Sequence, residues 1–529
     1  MYLRYVSPRP RWRARGVSGM MGPMHDVIVI GAGLGGLMSA AKLVRAGLRV
    51  VVLDKKALPG GTSYVFRRGG YAFPMGPLSF SFPGRVRELL AEAGIGSPPE
   101  FTKSRFALRA PGLSLLMSQP LAGLESELAA RFPEEKAGLA AFFAELREIS
   151  AAAGDLDRWH PGFRLVPGAG GEAVPDGGTA GDRMLRVAEL SRTPGAELLD
   201  RLVRDERLRN FLGSMGTGRP VMSLLNLGLM WRIMAEEGIW FPSCGIHGLA
   251  DLLVARIRAG GGEVRLGAAV RRILVRNGRA AGVVTAGGRT EEAPWVVSNA
   301  DYKTTFLELI DAGDIPFVDL SPIRETPYTG SELCVYLGLR PDRVDLSALE
   351  TEHLFFRAEI KKGGGRELED FDDREIEICH WSRKAPDLVP SGRAALVLRA
   401  GFPYGRFAPL RLGEKTRREG YRELKARLAG RLVRTAERAC PGLSQAVETM
   451  EAATPVTYRD WGGRYEGSIA GWTWGPSGPD GMARKLLVRT GVDGLLAVGA
   501  YAATELFLGG VPTALTTGGL AADLVLGST

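Results

Sequence analysis

The clearest chemistry in this 529-residue chain is carried by three glycines and one carboxylate. Gly31-Ala-Gly-Leu-Gly-Gly36 has the spacing G-x-G-x-x-G, and Asp54 stands 23 residues after its first glycine. In such a pattern Gly31 permits a tight turn and Gly33 lets the backbone approach a pyrophosphate, while Gly36 lets a helix close on a strand. Leu34 lies inside the same turn. The helix that follows aims its N-terminal amides at the phosphates. An acid about 20 residues downstream suits a ribose hydroxyl. The motif by itself does not separate NAD from FAD.

The elements needed to position these residues are present. His25–Ile30 is a β-branched run that reads as a buried parallel strand, and Leu37–Ala46 reads as a helix ended by Gly47. Leu48–Leu53 is a second strand, closed by Asp54, which completes a βαβ unit. Helical patterns return at Arg85–Ala93, Leu121–Ala153, Gly248–Ala259 and Lys415–Ala439. Glu263–Leu266, Val270–Arg276, Ala280–Thr285, Leu333–Leu339 and Ala394–Arg399 read as strands between Gly-containing turns. Trp295–Ser298 is one more buried strand, running into Asn299, and Leu495–Val498 is the last, before a helix from Thr513 to Leu526. Pro161–Gly181, rich in Gly, Pro and Ala, reads as a long surface loop.

Composition excludes several classes. Hydrophobic residues make up 45% and charged residues 24%, as in ordinary globular proteins. Glycine, 71 residues, is nearly twice its usual ~7% share without a G-X-Y period, so it serves turns and close backbone approach. Cys244, Cys334, Cys379 and Cys440 form no CxxC, and the five histidines form no HExxH, so neither a metal site nor a disulfide framework is expected. Residues 1–23 carry Arg4, Arg9, Arg11, Arg13 and Arg15 and no acid. They read as a disordered basic leader, or as an extension before a start at Met21 or Met24, and they lack a signal-peptide apolar core. The basic run from Arg417 to Arg431 is interleaved with Glu419 and Glu423 as a solvated helix face, so no nucleic-acid partner is expected. Glycine and proline break Leu506–Ala522, and Pro220–Trp231 is too short to span a bilayer.

The segment after Asp54 and Lys55 narrows the reading. Leu58-Pro-Gly-Gly-Thr-Ser63, then Arg68-Gly-Gly-Tyr-Ala-Phe-Pro-Met-Gly-Pro77, resembles the FAD-dependent family of phytoene desaturases, carotenoid isomerases and retinol saturase, and more distantly amine oxidases. The resemblance continues through Phe241–Gly248, with Cys244 in place of a glycine, and through Val270–Ile273, Val296–Asp301, Ala453–Pro455 and Gly467–Gly471. Leu496–Ala500, Gly509–Pro512 and Gly518–Ala522 resemble its closing flavin motif. It implies that FAD is held by Gly31, Gly33, Leu34, Gly36, Asp54, Lys55, Gly60, Gly61, Thr62, Gly76, Pro77, Val270, Asn299, Gly499, Ala500, Val511 and Pro512. Three departures stand out: Thr62 where many amine oxidases have arginine, Ala500 after Gly499, and no His-Pro-Gly in Tyr501–Leu508.

The resemblance further implies an α/β fold. A Rossmann-like FAD-binding domain would be assembled from residues 24–95, 236–325 and 461–529. A helical segment, 96–235, and a sheet-plus-helix segment, 326–460, would form an inserted α+β substrate domain. The implied activity is flavin hydride transfer on an apolar polyene or isoprenoid, of carotenoid desaturase or isomerase type. The alternatives are an amine oxidase-like enzyme acting on a polar substrate, a retinol saturase-like reductase, or a non-enzymatic isoprenoid escort protein. Pro220–Ile233 with Trp240 reads either as an ordinary core helix or as the wall of an apolar substrate tunnel. Glu505, the only acid between the last strand and the last helix, is the candidate catalytic base. A reducing, cytoplasmic setting is expected, with peripheral membrane contact left open.

Overall fold

A computed structural model of the chain describes residues 25–153, 186, 189–213, 222–361, 367–469, 471–473, 487–503 and 509–527. The leader, the loop at 161–181 and Glu505 lie outside the described residues.

The apolar runs without alternation become strands buried on both faces. Val27–Ile30 pairs in parallel with Val50–Asp54 on one side and Trp295–Ser298 on the other. Glu263–Leu266 extends the sheet beyond Val50–Asp54, and Leu495–Ala497 extends it beyond Trp295–Ser298. All five strands are parallel, the arrangement that needs helices on both faces and explains the Val/Ile/Leu patterning of the inner strands; the edge strand Glu263–Leu266 is only partly buried. Helices Leu34–Arg45, Gly245–Ala259 and Gly510–Gly527 pack together on this core. The first of them starts at Leu34, three residues earlier than its apolar pattern suggests, with Gly33 extended at its N-cap.

A second, seven-stranded sheet lies beside the first. Its order is Val447–Ala453, Glu332–Leu339, Ala394–Gly401, Ile376–Cys379, His353–Phe356, Phe106–Ala110 and Leu113–Leu116. All neighbours are antiparallel except His353–Phe356 with Phe106–Ala110. Leu333, Val335, Leu337, Leu396 and Leu398 point one way, into a core shared with the helix Tyr421–Glu437. Cys334, Tyr336, Cys379 and Val397 point the other way, into the core of the parallel sheet. Period-two alternation thus faces two hydrophobic layers, which is why every residue of Glu332–Leu339 is buried.

A third core is helical, with Phe142, Phe143, Phe211 and Trp231 at its centre. The pattern at Leu121–Ala153 is two helices, Leu121–Arg131 and Lys136–Ala153, because Pro133 cannot donate the hydrogen bond that would continue the first. The helix expected over Lys415–Ala439 begins only at Tyr421, because Gly420 sits in the left-handed region at its N-cap (φ 82°). Among the described residues no helix is long and apolar enough to cross a membrane.

Candidate functional site

A cleft of about 500 Å³ opens at the carboxyl ends of the parallel strands, where Gly31, Asp54, Asn299 and Val498 leave the sheet. In open parallel sheets this is the edge where ligands bind. Gly31, Gly33, Leu34, Asp54, Lys55, Gly60, Gly61, Thr62, Gly76, Pro77, Val270, Asn299, Gly499 and Ala500 all line it. Val511 and Pro512 do not. They are buried behind the wall, and Gly510 and Ala514, one helical turn apart, face the cleft in their place. Gly36 also lies behind the wall, where a Cβ would stand 2.2 Å from the Gly31 carbonyl oxygen, so its task is to let helix and strand close.

The Asn299 side chain organises the glycine turn. A Cβ on Gly33 would come within 2.4 Å of Asn299 Nδ2, and one on Gly499 within 2.8 Å of its Oδ1. Glycines at these places leave a backbone-lined cradle that any other residue would fill. The Gly60 N–H donates to the Ala32 carbonyl at 2.6 Å, which fastens the turn at Gly61–Ser63 to the first loop. Asp54 is buried, and its two oxygens accept the Ala32 and Lys56 N–H groups, each at 2.7 Å. The carboxylate therefore shapes its own loop and keeps further lone pairs for a hydroxyl.

Several residues in and beside the cleft have no motif of their own, although Asp301 closes the Val296–Asp301 stretch. Lys56 and Arg464 add positive charge, and burial pushes the Lys56 ammonium down to about 8, against the pull of Asp54. Asp301 accepts from Tyr328 Oη (2.8 Å) and from the N–H groups of Lys303 (3.0 Å), Tyr465 (3.1 Å) and Thr304 (3.3 Å). Burial nevertheless raises its carboxyl to about 6. Where the second sheet meets the cleft, Glu332 accepts from Arg399 through Nε (3.0 and 3.1 Å) and Nη2 (2.9 Å), and from Tyr458 Oη at 2.6 Å. Arg399 continues to Glu377 (3.3 Å), which meets His353 Nδ1 at 2.8 Å. Burial would raise Glu377, but the bond from His353 and the Arg399 charge outweigh it and hold the carboxyl low. This row crosses four strands, so only the fold assembles it.

The stretch read as a tunnel wall or core helix is a core helix in its described part. Leu224–Arg232 turns Leu225, Leu227, Leu229 and Trp231 into the helical core, where the Trp231 indole donates to the Leu212 carbonyl at 2.9 Å. No described residue of 222–241 lines the cleft. Cys244 stands at the N-cap position of the helix Gly245–Ala259 without a side-chain capping bond, and burial pushes its thiol up to about 11.

A glycine cradle set between the Asp54 carboxylate and the Lys56 and Arg464 cations fits the diphosphate of FAD, and the second sheet also contributes to the cleft. In architecture and site this is an α/β flavoprotein. The chain belongs to the flavin containing amine oxidoreductase family, whose sequence model spans residues 34–526. It is 26% identical over 498 residues to prolycopene isomerase 1, chloroplastic, of an Oncidium hybrid cultivar, covering 90% of this chain and 80% of that protein. It is 25% identical over 450 residues to a lycopene-forming phytoene desaturase of Pseudescherichia vulneris, covering 83% and 87% respectively. The fold is shared with cyclohexylamine oxidase from Brevibacterium oxydans IH-35A, at a TM-score of 0.59 and 16% identity, covering 96% of this chain and 99% of that one. The protein is an FAD-dependent oxidoreductase.

Proposed function

We propose that the protein transfers hydride between FAD and an apolar polyene or isoprenoid, in a desaturation or isomerisation of carotenoid type. The observation that carries this reading is likeness along nine-tenths of the chain to a prolycopene isomerase, joined by a phytoene desaturase over 83% of it. In this reading the parallel sheet belongs to a Rossmann-like domain built from residues 24–95, 236–325 and 461–529. Residues 96–235 and 326–460 form the inserted substrate domain, and the strands they contribute to one common sheet support that division.

FAD supplies the hydride-accepting and hydride-donating centre when bound. The residues of this chain would hold it: Gly31, Gly33 and Leu34 at the diphosphate, Asp54 at the ribose, Val270 beside the adenine. Thr62, Gly76, Pro77, Gly499 and Ala500 would lie along the remainder. Asp301 and Glu332 are each held by several fixed hydrogen-bond donors. Proton acceptance falls to Glu505 in this reading, and Glu505→Gln should keep its flavin while losing at least tenfold in single-turnover rate, about 1.4 kcal/mol. The test of function is anaerobic mixing of the flavoprotein with polyenes, retinoids and amines. Rapid reaction with soluble amines and none with polyenes overturns the proposal.

A further inference from the structure

Arg464 lines the cleft with its side chain half-buried, and among the described residues it meets no carboxylate. Among the described residues, neutral oxygens hold its guanidinium. Nη1 donates to the carbonyls of Ser468 (3.3 Å) and Ile469, and Nη2 donates to Thr62 Oγ1 at 2.6 Å. The Tyr501 ring lies 6.0 Å away. Of the five N–H donors, the Nε–H and one Nη2–H have no described partner. A partly desolvated cation is unfavourable unless a counter-charge meets it.

The backbone is shaped to put it there. A Cβ on Gly462 would stand 2.2 Å from the Tyr458 carbonyl oxygen, and one on Gly467 2.0 Å from that of Pro455. These glycines let the loop 461–467 fold tightly onto the helix Pro455–Asp460. The loop thereby carries Arg464 to Thr62, 402 residues away in sequence and beside the glycine cradle. Lys55 and Lys56 line the same cleft, and Lys55 and Arg464 both help to hold the Lys56 ammonium low, after burial. The cleft thus gathers cations around a turn whose backbone N–H groups also attract an anion.

We propose that Arg464 is a cofactor-holding residue, whose spare N–H donors bind the diphosphate of FAD and so tie the loop 461–467 to the turn Gly61–Ser63. The proposal rests on FAD occupying this cleft and adds the residue that supplies the counter-charge. It accounts for a guanidinium fixed by neutral acceptors, which orient it without neutralising it.

The test is equilibrium titration of flavin-depleted full-length protein with FAD and, separately, with riboflavin, which lacks the phosphates. Arg464→Gln can still donate to a neighbouring carbonyl but carries no charge. It should weaken FAD at least tenfold, about 1.4 kcal/mol, leave riboflavin unchanged, and flatten the salt dependence of FAD binding. Arg464→Lys keeps the charge but loses the fork of donors, and should bind FAD more weakly than the parent and more tightly than the glutamine variant. Equal FAD affinity in the glutamine variant overturns the proposal, as does an equal loss for FAD and riboflavin. A lysine variant as weak as the glutamine one removes charge as the operative property. If the unaltered protein takes up no FAD, the assignment of the cleft fails before Arg464 is in question.

Discussion

Gly36→Ala isolates the contact that holds the first helix against the first strand. The added methyl would stand 2.2 Å from the Gly31 carbonyl oxygen and 3.1 Å from both Asn299 Cβ and Val29 Cγ1. An ordinary carbon-to-oxygen contact is about 3.3 Å, so the helix must retreat by roughly 1 Å. The obstacle is backbone, which cannot rotate aside, and that puts the penalty at the upper end of the ~1–3 kcal/mol for overpacking. Alanine returns at most about 1 kcal/mol of helix propensity, leaving a net loss near 2 kcal/mol. The same retreat draws the helix N-terminus away from the diphosphate position, so FAD affinity should fall at least tenfold. Chemical denaturation of the flavin-free protein and FAD titration measure the two effects separately. Gly84→Ala is the control, since nothing lies within 4 Å of its added methyl. That variant should be as stable as the parent or up to about 1 kcal/mol more so, with FAD binding unchanged. A Gly36→Ala protein with parental stability and affinity refutes the close-approach argument.

Asp54→Asn places an amide where two backbone N–H groups now find carboxylate oxygens. FAD affinity should drop by about 1–3 kcal/mol, measured by titration, and an unchanged affinity puts the ribose elsewhere. Glu332→Gln strips the counter-charge from Arg399 and should destabilise the fold by about 3–5 kcal/mol. In denaturation experiments the double variant with Arg399→Met should lose less than the sum of the single changes; strict additivity dissolves the pair. Burial holds the Lys56 ammonium at about 8 in the flavin-free protein, below its unfolded value, so between about 8 and ~10.4 the unfolded chain binds more protons. In that window this group makes the flavin-free protein more stable as pH rises. The FAD diphosphate favours the ammonium form, so FAD affinity should decline above about pH 8, and less steeply in Lys56→Met. Identical pH profiles for the two proteins take Lys56 out of the site.

What the sequence made legible was local. The βαβ unit at its start, with its glycines and Asp54, is written within 30 residues, and four of the five parallel strands carry apolar runs because they are covered on both sides, the edge strand Glu263–Leu266 being the exception. The turns near Gly61 and Gly76 and the strand end at Asn299 were placed through family likeness, and the structure brings them to one cleft. Element boundaries slipped where one residue overrides a pattern, as Pro133 does within a helical periodicity and Gly420 at a helix start. Facing was harder to read. Val511 and Pro512 belong to the right helix, but the rotation of that helix presents Gly510 and Ala514 instead. Partners far apart in sequence left no trace. Glu332 and Arg399 are 67 residues apart and meet only through strand register, and Arg464 reaches Thr62 across 402 residues. The apolar stretch ending at Trp231 shows the converse: hydrophobicity fits a substrate wall and a helical core equally well, and only its packing partners decide.

The most direct measurement is anaerobic rapid mixing of the purified flavoprotein with candidate substrates, followed through the flavin absorbance and product analysis. The oxidised protein is mixed with saturated-bond carotenoid precursors, and the chemically reduced protein with cis polyenes. The account predicts that one of these apolar pairs reacts, either bleaching the flavin as a double bond forms or isomerising the polyene without net flavin consumption. Reduction of the flavin by soluble amines, with carotenoids and retinoids inert in both redox states, would contradict it.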